Sequence, residues 1–138
     1  MQLTAPQPPD TAEFDALRCG LNQFNETITG PLTRERIASF IKDEEGLVLG
    51  GILGEIKWGW LHIEGLWVED AMRRDGWGAR LIATMEQYAS DKGITHVHLE
   101  TTSFQALPFY QKQGYTVFGE LPDMPPGHIT YFLKKTGQ

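Results

Sequence analysis

The sequence predicts an α/β fold in which helices flank a mixed, mostly antiparallel central sheet. Segments 36–42, 47–53 and 60–68 are rich in apolar residues and are separated by turn-like residues, which is typical of an antiparallel meander. An amphipathic helical pattern at 77–92 separates the third segment from another apolar strand at 96–101. A strand, a helix and a further strand in this order favour a crossover, so the meander and crossover together predict a mixed sheet.

Composition narrows the classes of protein to which this chain can belong. Its 138 residues, 41% of them hydrophobic, are enough for one compact domain spanning 1–138. The net charge of −6 argues against nucleic acid and anionic membranes as partners. We expect a cytoplasmic protein, since no apolar run is long enough to span a bilayer and the N-terminus does not resemble a signal peptide. Cys19 is the only cysteine, which excludes an internal disulfide, and we expect no bound metal.

The first third of the chain predicts one helix followed by a hairpin. Asp10 and Thr11 are suited to cap a helix that carries Phe14, Leu17, Leu21 and Phe24 on one side. Polar residues predict a loop over 22–31. The pattern at 36–42 fits a strand or a helix, and the turn-like run 43–46 before the next apolar segment favours the strand.

The remaining elements follow from periodicity and from glycine. The helix at 77–92 presents an apolar side and ends at Gly93; that side is formed by Leu81, Ile82, Met85, Tyr88 and Ala89. A short helix at 105–113 precedes strands at 115–120 and 129–133, with a loop at 122–127 between them.

A glycine-containing run joins the strand ending at Val68 to the helix beginning near Trp77. Gly76 and Gly78 allow the main chain to approach a ligand closely, and free N–H groups at a helix N-terminus bind anions. The segment 73–78 therefore predicts a phosphate-binding turn.

Two spaced motifs give this chain a family resemblance. Arg73, Gly76 and Gly78 match the pattern [Q/R]-x-x-G-x-[G/A], with Val68 five positions before the arginine. A second motif, N-x-x-A-x-x-[F/L]-Y followed by G-[F/Y], is matched apart from Ser103 at the asparagine position, by Ala106, Phe109, Tyr110, Gly114 and Tyr115. With its order of elements, the chain resembles the GNAT superfamily of acyl-CoA-dependent N-acyltransferases over nearly its full length.

The resemblance implies an enzyme that uses acetyl-CoA as co-substrate, held in a V-shaped split between strands 60–68 and 96–101. The main chain of Leu66–Val68 would pair with the pantetheine arm, and N–H groups from Arg74 to Ala79 would hold the pyrophosphate. The implied acetyl-CoA contacts are Leu66, Trp67, Val68, Arg73, Arg74, Asp75, Gly76, Trp77, Gly78, Ala79, Arg80, Ser103 and Phe109.

Acetylation of an amine requires a base, because an alkyl ammonium with a pKa of about 10 is protonated at neutral pH. His62 and Glu64 lie two apart on one predicted strand and so share a face, at the offsets where GNAT enzymes that use a base on this strand carry it. Either residue or the pair can serve. The resemblance assigns Tyr110 as the acid that protonates the leaving thiolate, and a backbone N–H near Leu66 or Trp67 as the oxyanion donor.

The expected acceptor is the primary amine of a small molecule. We expect Phe24, Trp60, Asp123 and His128 to contact it, because aromatic and acidic groups suit an amine. Acetylation of a protein or peptide amine and a non-catalytic acyl-CoA sensor are the alternatives. The sequence leaves the oligomeric state open, with a homodimer as one option.

Overall fold

The computed structural model describes residues 1–137, which form two compact units. The first unit, Met1–Thr33, contains helix α1, Thr11–Thr29. Asp10 caps it as predicted, since its Oδ1 accepts hydrogen bonds from the N–H groups of Ala12 at 2.7 Å and Glu13 at 3.2 Å.

The loop predicted at 22–31 is wrong over most of its length, because α1 continues through Thr29. Phe24 and Ile28 extend the three- and four-residue apolar spacing of the helix, and the first glycine after Leu21 is Gly30. Gly30, at φ 78°, ends the helix immediately before Pro31. Phe24 is therefore a helical residue and not part of a loop.

The second unit begins at Arg34 with the predicted antiparallel meander, which is confirmed. Its strands are β1, Arg34–Lys42; β2, Val48–Lys57; and β3, Trp60–Val68. Asp43 Oδ1 organises the first turn by accepting from the N–H groups of Glu45 and Leu47, both at 2.9 Å. The second turn is Trp58–Gly59, and its positive φ values of 51° and 82° are typical of a tight type I′ hairpin.

The crossover and the closing strands are also confirmed. A 3₁₀ turn at Asp70–Met72 leads to helix α2, Trp77–Asp91, and then to β4, Val97–Thr102, which runs parallel to β3. Helix α3, Leu107–Lys112, has its proline in the first turn, and is followed by β5, Thr116–Pro122, and β6, Ile129–Lys135. The six strands form one mixed sheet in the order β1-β2-β3-β4-β6-β5.

The core of this unit lies between one face of the sheet and α2. Leu61, Ile63 and Leu99 are at most 3% exposed on the sheet side. Helix α2 buries the predicted Leu81, Ile82, Met85 and Ala89. Tyr88, which was also predicted on that apolar side, is instead 39% exposed and donates a hydrogen bond from its hydroxyl to Glu35 on β1.

Two irregularities in β3 open the sheet. β3 and β4 pair only from Leu61 to Ile63, so the two strands separate beyond that point. On its other edge Leu53 pairs with Gly65 but Gly54 pairs with Ile63, which leaves Glu64 as the extra residue of a β-bulge. The expected split is therefore present, and the bulge at Glu64 comes before Leu66 and Trp67 on the same strand.

None of the helices in residues 1–137 combines the length and apolar character needed to cross a membrane.

Candidate active site

The separation of β3 from β4 creates a cleft of about 780 Å³, which we call the split-strand cleft. It brings together most of the residues of the two motifs. Ten of the site residues predicted from the sequence line this cleft: Glu64, Leu66, Trp67, Val68, Arg73, Gly76, Gly78, Ala79, Phe109 and Tyr110. Arg74, Asp75, Trp77, Arg80 and Ser103 do not line it.

The N-terminus of α2 forms one end of this cleft. Gly76 has φ 78° and precedes the helix in the left-handed conformation, and its carbonyl accepts the N–H of Arg80 at 3.1 Å. Within residues 1–137, no backbone acceptor pairs with the N–H groups of Arg74, Gly76, Trp77, Gly78 or Ala79. This cluster of free donors at the positive end of a helix dipole suits an anionic group such as a phosphate.

Gly78 also has a packing role that joins the two motifs. A Cβ atom added at Gly78 would lie 3.2 Å from Cζ of the Phe109 ring on α3. That separation is closer than ordinary van der Waals contact. Glycine at 78 therefore lets α3 approach the first turn of α2, in addition to giving a ligand access to the main chain.

Two of the arginines expected to contact acetyl-CoA, Arg73 and Arg80, are engaged in contacts within the protein. Arg73 donates from Nε to the Val68 carbonyl at 3.0 Å, and its Nη1 lies 3.3 Å from Asp70 Oδ1. Arg80 stacks on Trp77, with Cζ 4.1 Å from the ring centroid. Arg73 thus fastens the end of β3 to the turn, and the Val68 carbonyl that was expected to meet a ligand already accepts this hydrogen bond.

Tyr110 lines the split-strand cleft and is 7% exposed. It packs edge-on against Phe109 and Tyr115, at centroid distances of 5.2 Å and 6.1 Å. Its hydroxyl forms no hydrogen bond with any group in residues 1–137, and burial raises the pKa of this phenol above its ordinary value of 10.0. A protonated, unpaired hydroxyl is available to donate to a group in the cleft.

Ser103 has a structural role outside the cleft. Its Oγ accepts the N–H of Ile129 at 3.1 Å, and its own N–H donates to the Ile129 carbonyl at 2.8 Å. These bonds join the end of β4 to the start of β6. The expected contact of Ser103 with pantetheine has no support from this arrangement.

A second cleft, which we call the aromatic cleft, has a volume of about 570 Å³ and lies on the face of β3 opposite the buried Leu61 and Ile63. It is lined by Glu55, Lys57, Trp58, Trp60, His62, His98, Phe118 and Lys134. The His62 and His98 rings stack in parallel, with centroids 4.4 Å apart. Burial, reinforced by the neighbouring His62, lowers the pKa of His98 below its ordinary value of 6.5.

The structure separates the pair of residues proposed as the base. His62 Nε2 lies 2.8 Å from Glu100 Oε2, whereas Glu64 accepts a hydrogen bond from Arg36 Nη2 at 3.0 Å. The expectation that His62 and Glu64 stand side by side assumed a regular strand, and the bulge at Glu64 removes that regularity. His62 lines the aromatic cleft and Glu100 lines the split-strand cleft, so their contact lies where the two clefts meet.

The four expected acceptor contacts do not converge. Trp60 lines the aromatic cleft, but Asp123 and His128 lie on the β5–β6 loop, near the C-terminal end of β4. Asp123 has φ 57° and accepts the Gly127 N–H at 3.3 Å, while His128 packs on Phe104 with centroids 4.8 Å apart. Trp60 pairs with Lys57 at the start of β3, by the opposite end of β4. Phe24 belongs to the other unit and is described only as part of α1.

Glu100, His98 and Phe118 are site residues that sequence reasoning did not select. His98 and Glu100 alternate on β4, and the register pairs His98 with His62. Alternation alone indicates that His98 and Glu100 share a face. Only the parallel pairing of β3 with β4 shows that this face also carries His62.

Comparison with known proteins agrees with this geometry. The family model described as the acetyltransferase (GNAT) family matches residues 3–115. Blasticidin-S acetyltransferase of Streptomyces morookaense is 40% identical over 102 residues, which cover 73% of this chain and 75% of that protein. The crystal structure of an acetyltransferase from Bacillus cereus ATCC 14579 is 32% identical and superimposes with a TM-score of 0.88, over 97% of this chain and 98% of that one.

A more distant structure shares the fold. The aminoglycoside 6'-N-acetyltransferase solved in complex with coenzyme A is 22% identical, with a TM-score of 0.64, over 88% of this chain and 87% of that one. The family match spans well over half of the chain and includes both the glycine turn and the motif on α3. This chain therefore belongs to the GNAT family of acetyltransferases.

Proposed function

We propose that this acetyltransferase transfers an acetyl group from acetyl-CoA to the primary amine of a small molecule, by direct attack within a ternary complex. The observation that carries the proposal is the His62–Glu100 contact of 2.8 Å where the two clefts meet. A base at this position can reach an amine in one cleft while the thioester lies in the other.

The split-strand cleft suits acetyl-CoA. Beyond Ile63 the β4-facing edge of β3 is no longer covered by β4, which leaves main-chain groups free to pair with an extended pantetheine arm. The unpaired N–H groups of Arg74 and of Gly76–Ala79 would hold the pyrophosphate at the N-terminus of α2. Arg73 would act mainly by holding this turn against Val68.

The aromatic cleft suits a cationic amine. Trp58, Trp60 and Phe118 offer aromatic faces that attract an ammonium group. The Glu55 carboxylate in the same cleft is already paired with Arg34, at 2.8 Å. Lys57 and Lys134 place their ammonium groups 4.5 Å and 5.7 Å from the ring centroids of Trp58 and Phe118. The rings of Trp58 and Phe118 therefore already make cation–π contacts with these two lysines. Blasticidin S, the compound named in the 40% identical relative, is the first acceptor to test.

The chemistry follows from the two clefts. His62 would accept a proton from the ammonium group, so that the neutral nitrogen attacks the thioester carbonyl carbon. The carbon–sulfur bond then breaks, and the thiolate takes a proton from the Tyr110 hydroxyl, which recovers it from solvent. The second amine proton passes to solvent as the amide forms, and His62 releases its proton to solvent before the next turnover. A backbone N–H near Leu66 or Trp67 is the expected donor to the oxyanion. No covalent enzyme intermediate is needed.

Glu64 is the second candidate for the base. It lines the split-strand cleft, and its carboxylate is held by Arg36 at 3.0 Å. This ion pair occupies one of the two carboxylate oxygens. Glu100 would act as a positioning residue that orients the His62 ring.

The proposal is tested by calorimetric titration with acetyl-CoA, paired with thiol release over a panel of acceptors. The panel contains blasticidin S, simple alkyl amines and a lysine-containing peptide. We expect acetyl-CoA to bind and thiol release to depend on a small amine. Release with the peptide alone would indicate a protein acetyltransferase, binding without release from any acceptor would indicate a sensor, and absence of binding would refute the assignment of the cleft.

A further inference from the structure

Three side chains of types that can coordinate a metal ion lie close together where the two clefts meet. One ligand atom from each of His62, His98 and Glu100 lies within 4.8 Å of the other two. The fold creates this cluster, because β3 and β4 pair His62 with His98 and Glu100 follows two residues later on β4. Each side chain is at least partly exposed, so an ion from solvent can reach it.

We propose that His62, His98 and Glu100 bind a divalent transition-metal ion, with Zn²⁺ as the reference ion. Two imidazoles and one carboxylate form a ligand set that zinc uses at sites with an open fourth position. Zinc bonds of 2.0–2.1 Å in a tetrahedron place neighbouring ligand atoms about 3.4 Å apart. The His62–Glu100 atom pair, at 2.8 Å, must open by about 0.6 Å. The other pairs of ligand atoms lie within 4.8 Å and must close by about 1.4 Å at most, which small side-chain rotations can supply.

The negative charge available to an ion at the cluster comes from Glu100 itself. The two lysines of the aromatic cleft direct their ammonium groups to the rings of Trp58 and Phe118, and the Glu55 carboxylate in that cleft is paired with Arg34. The open coordination position would face this cleft, where water or a ligand nitrogen can complete it.

Metal binding has a regulatory consequence. Neutral imidazole has a single nitrogen lone pair. An ion bound at His62 Nε2 would take that pair and leave the proton on Nδ1, so Zn²⁺ would inhibit acetyl transfer. The inhibition rests on the proposed role of His62, whereas the binding does not. The two are therefore tested separately.

The binding test is calorimetric titration of the untagged protein with ZnCl₂ in a buffer that does not chelate metals. We expect one Zn²⁺ per chain, and a loss of affinity in His98→Gln and Glu100→Gln that at least equals the roughly 10–100-fold cost of removing an outer-shell partner. His128→Gln, an exposed histidine outside the cluster, is the matched control and should bind Zn²⁺ as the wild type does. Thermal unfolding verifies that each variant is folded, and if one ligand variant does not fold the other decides.

Two results would overturn the metal site. One is an absence of Zn²⁺ binding by the wild type, and the other is equal affinity in a folded ligand variant. If Zn²⁺ binds at the cluster and turnover is unaffected, the metal site stands and the role of His62 as base falls.

Discussion

His62 Nε2 and Glu100 Oε2 lie 2.8 Å apart, although 38 residues separate them in the chain. The contact exists because the crossover through α2 returns the chain parallel to β3 and pairs His62 with His98. A carboxylate so placed fixes the orientation of the imidazole. This relationship makes His62, rather than Glu64, the better supported base.

Replacing His62 with glutamine should lower kcat by the roughly 10²–10⁴-fold that general-base catalysis contributes. The Kd for acetyl-CoA, measured by calorimetry, should stay unchanged, because His62 lines the aromatic cleft and not the split-strand cleft. Glu64→Gln is the matched comparison and should retain more activity. A larger loss in Glu64→Gln than in His62→Gln would reverse the assignment.

Glu100→Gln should reduce kcat less than His62→Gln does, because the imidazole remains but loses its orienting carboxylate. Glu100→Asp should restore part of the activity by returning a charge. In the double variant, Glu100→Gln should add little to the loss caused by His62→Gln, since the two side chains act as a unit. Steady-state kinetics on the wild type, the two glutamine variants and their double variant measures this coupling. If the losses in kcat were additive on a free-energy scale, Glu100 would act independently of His62.

Gly76→Val should weaken acetyl-CoA binding by about tenfold or more, because a β-branched residue at φ 78° distorts the turn that presents the N–H groups. Gly46→Val is a matched control, since Gly46 has φ 84°, equally open surroundings and a place in the β1–β2 turn. Both variants should lose similar stability. If calorimetry finds that both bind acetyl-CoA equally, the turn at Gly76 does not hold the pyrophosphate.

Tyr110→Phe should slow thiol release in single-turnover experiments while changing stability by no more than about 0.5 kcal/mol, since its hydroxyl forms no internal hydrogen bond. Tyr115→Phe provides the opposite case. It removes a 2.7 Å hydrogen bond to Glu86, at a cost of about 1–2 kcal/mol, and should leave turnover unchanged. Unaltered thiol release in Tyr110→Phe would exclude Tyr110 as the acid.

Stability should decline in alkaline solution because of these same two tyrosines. Burial raises the pKa of both phenols in the folded state, and Glu86 raises that of Tyr115 further. In the unfolded chain they titrate near 10, so above about pH 10 the unfolded state loses protons first and the free energy of unfolding falls. Denaturant titrations from pH 8 to 11 should show this decline, and it should be smaller in Tyr115→Phe.

The strands and the two motifs could be predicted from the sequence, since alternation, turn residues and glycines are local signals. The geometry of the site could not be predicted wherever a local irregularity or a residue distant in the chain determines it. The bulge at Glu64 depends on the register between β2 and β3, and the role of Glu100 depends on the pairing of β3 with β4. Residues 22–29 were misassigned because their polar composition outweighed an apolar spacing that continues to Ile28.

The ring of Phe109, in the α3 motif, occupies the space that a side chain at position 78, in the glycine turn, would need. A Cβ atom at 78 requires the Phe109 ring to shift by a few tenths of an ångström, so the side chains that can be accepted at these two positions are linked. The glycine turn and the α3 motif therefore meet at one contact. They are two ends of one packing constraint, and they are expected to persist or to change together as the family diverges.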